Sequence, residues 1–483
     1  MENTRELILD MLMEILEKGV YSHLLIRDVQ DKYNYLDVRD RAFIKRTTEG
    51  TLERLIEIDF YLDQYSRVPV SRMKPLIRNL LRMSVYQILY MDSVPDSAVC
   101  NEAVKLAGKR GFRGLSGFVN GVLRNLSRNK ERLFKPDKEK EKCRYLSIRY
   151  SMPAWLVERW LITLGEELTY LILEGFLTQQ PLTVRRREDL SQEQTAKWLA
   201  ELKKKGVKVQ EHPYLSYAYR LWNTEGVRSL PGYGEGIFTV QDVSSMLVAE
   251  AAGISRYLKE SETFTGQEKG KEAAGVRKLL VLDVCASPGG KAMHMAEKIA
   301  MAEKTAMAEK KLPCHGKVIA RDISEYKVSL MRDNIERMGY REIETQIFDA
   351  AQPDGEMTER ADILLADLPC SGLGVIGKKR DIKYRITPER MEELAALQRK
   401  ILSVIWRYVK PGGILIYSTC TINPQENEEM ARWITQQFPF TLEDLTPFLP
   451  QELKEEGKGG MLQLFPGRHE TDGFFIARLR RLR

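Results

Sequence analysis

The sequence predicts a chain in two styles, an all-helical front followed by an α/β domain built on a mostly parallel sheet. Up to about residue 130, apolar residues recur at helical spacing. From about residue 237 onward, short apolar runs alternate with helical stretches, the pattern of a parallel sheet covered on both faces. The length of 483 residues, with 43% apolar and 30% charged content, suits several domains and excludes global disorder or a collagen-like chain.

In chain order, Leu7, Ile8, Met11, Leu12, Ile15 and Leu16 predict the first helix, and Leu76, Leu80, Leu81, Val85, Ile88 and Leu89 a later one. Ser93–Ser97 separates helices, with Asp96 or Ser97 placed to cap the next. That helix runs into Lys109–Gly114, a basic loop around Phe112. Between Cys100 and Lys135 stand nine Lys/Arg and two Glu, a composition that fits a solvated helix face and an RNA-contact surface equally. Residues 129–142 have linker composition, and the expected domains are 1–130, a middle segment over 131–236, and 237–483. The middle segment carries Trp- and Leu-rich helical patterns and a strand at Leu182–Arg187. It closes at Pro231–Gly236, whose glycines lack the strand-to-helix setting of a dinucleotide fingerprint and read as a turn.

Strands of the last domain are expected at 279–284, 317–320, 361–366 and 413–418. Ligands of such sheets bind at the carboxyl ends of the strands. Glu260–Lys278 reads as a polar surface loop. Met-Ala-Glu-Lys occurs three times, from Met295, Met301 and Met307. Six residues turn a helix by roughly 240° net, so these methionines cannot form one core stripe, and an exposed helix end is expected.

Lys+Arg exceed Asp+Glu by 75 − 68 = 7, a mild bias toward polyanions. Six dispersed cysteines without a CxxC pair argue against a disulfide framework or a cysteine-rich zinc site. No apolar run approaches the ~20 residues of a membrane span, and the charged start Met1–Glu6 predicts no signal peptide. A cytoplasmic protein with free thiols is the expectation.

The first chemistry-bearing motif is Asp283 to Lys291, directly after the strongest strand and opening a helix. Within it Cys285, Ala286, Ser287, Pro288, Gly289, Gly290 and Lys291 form a glycine loop that lets a ligand approach helix-start N–H groups. Asp322, Asp349 and Asp367 end successive strands. One such acid is an ordinary helix cap; three in register with a glycine loop point to a nucleoside cofactor, whose ribose hydroxyls a carboxylate can hold. Cys370 and Cys420 follow the next strand ends. A lone cysteine is commonly a small buried hydrophobe, but two thiols beside an aspartate suit alkylation of pyrimidine carbon 5. Thiolate addition at carbon 6 makes carbon 5 nucleophilic, and an acid near N3 stabilises the charge that develops. Either cysteine could be the nucleophile on this ground.

The blocks at 283–291, 367–374 and 417–428 resemble the signature motifs of the NOL1/NOP2/Sun RNA cytosine-5 methyltransferases, and residues 1 to about 130 resemble a NusB-type RNA-binding domain. The resemblance implies a Rossmann-like methyltransferase domain with a mostly parallel seven-stranded sheet behind the helical domain. It implies S-adenosylmethionine held by 285–291, Asp322 on the ribose, Asp349 by the adenine, and Asp367 touching cofactor and base. It makes Cys420 the nucleophile and Cys370 the thiol that assists product release. It further implies a monomer acting on 16S ribosomal RNA before small-subunit assembly is complete, with no metal and no membrane. Leu368 and Ser287 stand where the family commonly has Ala. The basic stretch Lys378–Lys383 follows the Cys370 block as the family's basic loop does and is a candidate for holding RNA phosphates. Two other readings compete: a non-catalytic RNA-binding or antitermination factor on the same fold, and a DNA cytosine-5 methyltransferase. Intact Asp367, Cys370 and Cys420 weigh against the first, and the lack of a Glu-Asn-Val block against the second.

Overall fold

The computed structural model describes residues 3–224, 226–265, 277–309 and 314–483. They form two compact units, residues 1–178 with 376–386, and residues 179–375 with 387–483. The stretch 131–236 is shared between them.

The first unit is helical: α1 (Thr4–Glu17), α2 (Ser22–Lys32), α3 (Val38–Glu53), α4 (Leu55–Tyr65), α5 (Pro75–Tyr90), α6 (Asp96–Lys109), α7 (Ser116–Asn129), α8 (Lys142–Arg149), α9 (Ala154–Thr163) and α10 (Glu166–Leu177). Asn3 caps α1 through N–H bonds from Arg5 and Glu6, and its buried face is Ile8, Leu9, Leu12 and Ile15. In α7 the buried Val119, Val122, Leu123 and Leu126 follow the same spacing. Asp96 opens α6 but caps nothing; its carboxylate instead accepts from Ser127 and Lys130.

In the second unit β1 (Leu182–Arg186), β2 (Lys208–Glu211), β3 (Ala218–Trp222) and β4 (Phe238–Val240) make a small antiparallel sheet in the order β2-β3-β1-β4. Its core includes Trp198 and Leu202 of α11 (Gln192–Lys204). Residues 231–236 are the expected turn, with Gly232 and Gly236 at positive φ. The main sheet contains β5 (Arg277–Asp283), β6 (Cys314–Asp322), β7 (Ile343–Ile347), β8 (Ala361–Asp367), β9 (Val409–Thr419), β10 (Phe440–Leu442), β11 (Met461–Leu464) and β12 (Phe474–Arg481). Seven strands run in the order β10-β12-β9-β8-β5-β6-β7, with β11 paired to β12. The five from β5 to β9 pair in parallel and β12 runs antiparallel to β9. Alternate residues of each strand feed two cores, such as Val281 and Ile363 in one and Leu282 and Leu364 in the other. The helices of this unit are α11, α12 (Val243–Ala252), α13 (Ile254–Thr265), α14 (Gly290–Ala308), α15 (Glu325–Met338), α17 (Pro388–Ile405) and α18 (Glu428–Gln437); α16 (Ile382–Arg385) belongs to the segment that joins the helical unit.

Two expectations need correction. The loop expected over 260–278 is helical up to Thr265 and already strand from Arg277, and its middle lies outside the described residues. The Met-Ala-Glu-Lys repeat is not uniformly exposed. Met295 is fully buried and Met307 is 58% exposed, because α14 starts under the sheet and only its end reaches solvent. In the first copy Glu297 pairs with the buried Arg185 of β1, and Lys298 lies 2.7 Å from both Glu188 and Glu250. Glu188, Glu250 and His294 could together hold a metal ion, but the Lys298 ammonium already stands between the two carboxylates.

Candidate active site

The main sheet reverses its strand order at β5, which has β6 on one side and β8 on the other. The carboxyl ends there form the crevice in which open α/β sheets bind ligands. The loop after β5 is pinned at both ends: the Ala286 N–H donates to the Arg321 carbonyl at 2.8 Å, and Asn334 of α15 donates to the Pro288 carbonyl at 3.1 Å. Gly289 has φ +99°, a conformation that glycine tolerates, and Gly290 begins α14. The Asp322 carboxylate accepts the Ser287 N–H at 3.1 Å and the Ile323 N–H at 2.8 Å. Lys327 lies 3.0 Å from it. This ties the glycine loop to the end of β6.

The other expected residues fall along the same edge. The Phe348 N–H donates to the Asp322 carbonyl, which places Asp349 beside the end of β6, where its side chain accepts the Ala351 N–H at 2.9 Å. Asp367 ends β8 and accepts from Lys291 Nζ at 2.6 Å and Ser418 Oγ at 2.9 Å. Burial works against the Lys291 charge, yet the adjacent Asp367 raises its pKa above the ordinary lysine value. The structure thus brings 285–291, Asp322, Asp349 and Asp367 to one sheet edge.

The two cysteines meet. Cys370 Sγ and Cys420 Sγ are 3.3 Å apart, and both are free thiols. The Gly374 N–H donates to the Cys420 carbonyl at 3.0 Å, and the Gly473 N–H donates to the Gly374 carbonyl at 2.9 Å. A side chain at Gly374 would overlap the Gly473 backbone. The neighbouring Cys420 sulfur, burial and the Glu426 charge all push the Cys370 thiol well above its ordinary pKa. Cys285 is also held protonated, chiefly by burial and then by Asp322, so it lines the site without being a reactive thiolate.

Two residues of this site carry no role in the sequence reading. Asp283, the last residue of β5, is fully buried, and burial pushes it up to about 7 against the opposing pull of Lys291 and the Cys285 N–H. Its signal was present in the sequence, since it ends its strand as Asp322 and Asp367 end theirs. The other is Glu426, buried behind the two cysteine loops. Within the basic stretch after Cys370, Arg380 and Lys383 depart from expectation. Arg380 pairs with Glu49 and Glu53, and Lys383 is buried with its amine donating to the Glu53 carbonyl at 2.8 Å. The charges of Arg380 and Lys383 are spent inside the helical unit, not held out for phosphates.

A glycine loop, strand-end acids and this strand order define a Rossmann-like methyltransferase domain, here following a NusB-type helical domain. Residues 275–480 match the family described as 16S rRNA methyltransferase RsmB/F, and residues 2–128 match the NusB family. A probable ribosomal RNA small subunit methyltransferase B of Bacillus subtilis is 33% identical over 483 residues, 99% of each chain. Ribosomal RNA small subunit methyltransferase B of Klebsiella pneumoniae is 31% identical over 99% of this chain and 98% of its own. The chain belongs to the ribosomal RNA small subunit methyltransferase B family. Its fold is like that in the crystal structure of PH0851, with a TM-score of 0.76, 24% identity, and 100% and 99% of the two chains covered.

Proposed function

We propose that this protein transfers a methyl group from S-adenosylmethionine to carbon 5 of a cytidine in 16S ribosomal RNA. The observation that carries this reading is the pair of thiols 3.3 Å apart at the strand ends next to Asp367. The residues present fit the cofactor: the buried Asp283 carboxyl, held above its ordinary pKa despite Lys291 and the Cys285 N–H, suits a ligand that carries positive charge. Residues 285–291 would cradle it, Asp322 would hold the ribose, and Asp349 would lie by the adenine. When bound, S-adenosylmethionine supplies an electrophilic methyl group.

The chain's own groups do the rest. Cys420 adds as thiolate to carbon 6, which turns carbon 5 into an enamine-like nucleophile. Asp367 and its partner Lys291 stabilise charge on the ring. Carbon 5 then gives up its proton to solvent. The bond from carbon 6 to sulfur breaks, and Cys420 leaves as thiolate as the ring double bond is restored; Cys370 assists that release. Carbon 5 is reachable only in an unpaired or flipped base. Arg113, Arg128, Arg132 and Lys135 of the helical unit are exposed, with no ion pair among the described residues, and would meet RNA phosphates. The same reading has the protein act as a cytoplasmic monomer on rRNA that is not fully assembled.

The test incubates the protein with labelled S-adenosylmethionine and either unmodified 16S rRNA or DNA. Transfer to RNA is expected; transfer to neither, or to DNA alone, sinks the proposal. Cys420→Ala should be inactive and form no covalent adduct. Cys370→Ala should accumulate a denaturation-resistant RNA complex. The opposite pattern reverses the assignment of the two thiols.

A further inference from the structure

Glu426 is fully buried, and no step above uses it. Its Oε2 accepts the Ser371 backbone N–H at 2.8 Å and Gln398 Nε2 at 3.3 Å. Its Oε1 accepts Ser371 Oγ at 2.5 Å and Asn423 Nδ2 at 2.8 Å. An ionised carboxylate offers about four acceptor positions, and here all four are used by donors from three separate segments. Ser371 directly follows Cys370, Asn423 lies just after Cys420, and Gln398 comes from α17. Gln398 also donates to the Pro369 carbonyl at 2.9 Å, and Ser371 Oγ lies 2.7 Å from Thr421 Oγ1. Every residue flanking the two cysteines on this side is therefore tied to Glu426 or to a partner of Glu426.

A buried carboxylate is costly, and an apolar side chain would fill the space more cheaply if packing were all that was needed. What the carboxylate adds, beyond the β8–β9 pairing and the Gly374–Cys420 bond, is a second directional link between two loops that are 50 residues apart in the chain. We propose that Glu426 is a positioning residue for both thiols, binding the Cys370 and Cys420 loops into one unit so that their sulfurs stay in contact. The catalytic consequence rests on the cytosine reading above: Cys420 must add to the ring while Cys370 acts on the same adduct, and misplacement by about 1 Å costs on the order of 100-fold in rate.

The test reads thiol geometry apart from methyl transfer. Phenylarsine oxide condenses with two adjacent thiols, forming two As–S bonds and releasing its oxygen as water, without an oxidant. The full-length protein should be captured rapidly at Cys370 and Cys420, with Cys370→Ser as the baseline, as followed by mass spectrometry. Glu426→Gln is nearly isosteric, but its amide must point a donor at a donor. Capture should slow roughly tenfold, the equivalent of one lost charge-assisted hydrogen bond. The kcat on RNA should fall at least as far, while KM for S-adenosylmethionine stays unchanged. Asn423→Ala, which removes one donor, should be intermediate.

Capture at the wild-type rate by a folded Glu426→Gln overturns the proposal. If Glu426→Gln does not fold, wild-type capture by Asn423→Ala overturns it instead. A wild-type protein that is captured normally but methylates no RNA, with capture slowed in Glu426→Gln, refutes the proposed function and leaves the positioning role intact.

Discussion

Asp283→Asn should make the protein more stable, by an amount that depends on pH. The wild-type carboxyl is fully buried, which pushes its pKa from the ordinary 3.8 up to about 7 even with Lys291 and the Cys285 N–H opposing. Below both values the folded and unfolded chains each hold the proton, and the group contributes nothing. Between them the folded chain keeps a proton that the unfolded chain loses, so stability falls as pH rises. Above about 7 both are ionised and the full penalty stands, (7 − 3.8) × 1.36, or about 4 kcal/mol. Asparagine has the shape of the neutral acid and removes the penalty. At roughly 2 °C per kcal/mol for a unit of this size, the variant should melt about 8 °C higher near pH 8 and equally near pH 4. Thermal melts of both proteins at several pH values measure this. A difference that does not grow with pH refutes the argument. If Asp283 faces the cationic cofactor, the wild type should bind S-adenosylmethionine more tightly as pH rises through 7, by calorimetry, and the variant should not.

Gly374→Ala forces a Cβ into the Gly473 backbone, which should cost about 1–3 kcal/mol in a melt and slow single-turnover methyl transfer ~100-fold; wild-type turnover refutes it. Lys383 is driven down to about 7 by burial, so its unfolded form binds more protons between 7 and the ordinary 10.5, and stability rises with pH over that window. Lys383→Met should therefore melt above the wild type near pH 6.5, with the gap closing toward pH 10; a constant gap refutes it. Glu297→Ala leaves the buried Arg185 charge unpaired and should cost about 3–5 kcal/mol, most of it recovered when Arg185→Met is added. Denaturant melts of the single and double variants check this, and additive losses refute it.

The parallel sheet was legible because its strands are short apolar runs, and a parallel sheet gathers every strand's carboxyl end on one edge. Order along the chain then sufficed to bring Asp322, Asp349, Asp367 and the glycine loop together. Partners distant in sequence were not legible. Lys383 and Arg380 read as candidates for RNA phosphates because their acceptors, the Glu53 carbonyl and the Glu49 and Glu53 carboxylates, lie more than 300 residues earlier. Glu297 and Lys298 sit in a repeat whose composition suggests an exposed helix end, and only the small sheet packed over α14 turns them into buried ion pairs. Glu426 lies inside the 417–428 block, but no role for it was legible there, since its partners are donors that fold together from three segments.

The two thiols show where such distant partners matter most. Sequence spacing treats them alike, since both follow strand ends. Their surroundings differ. The Cys420 sulfur, burial and the Glu426 carboxylate together hold Cys370 protonated. A nucleophile must be the thiolate, so of the two thiols Cys370 is the less suited to attack. That agrees with the proposal that Cys420 attacks and Cys370 assists release.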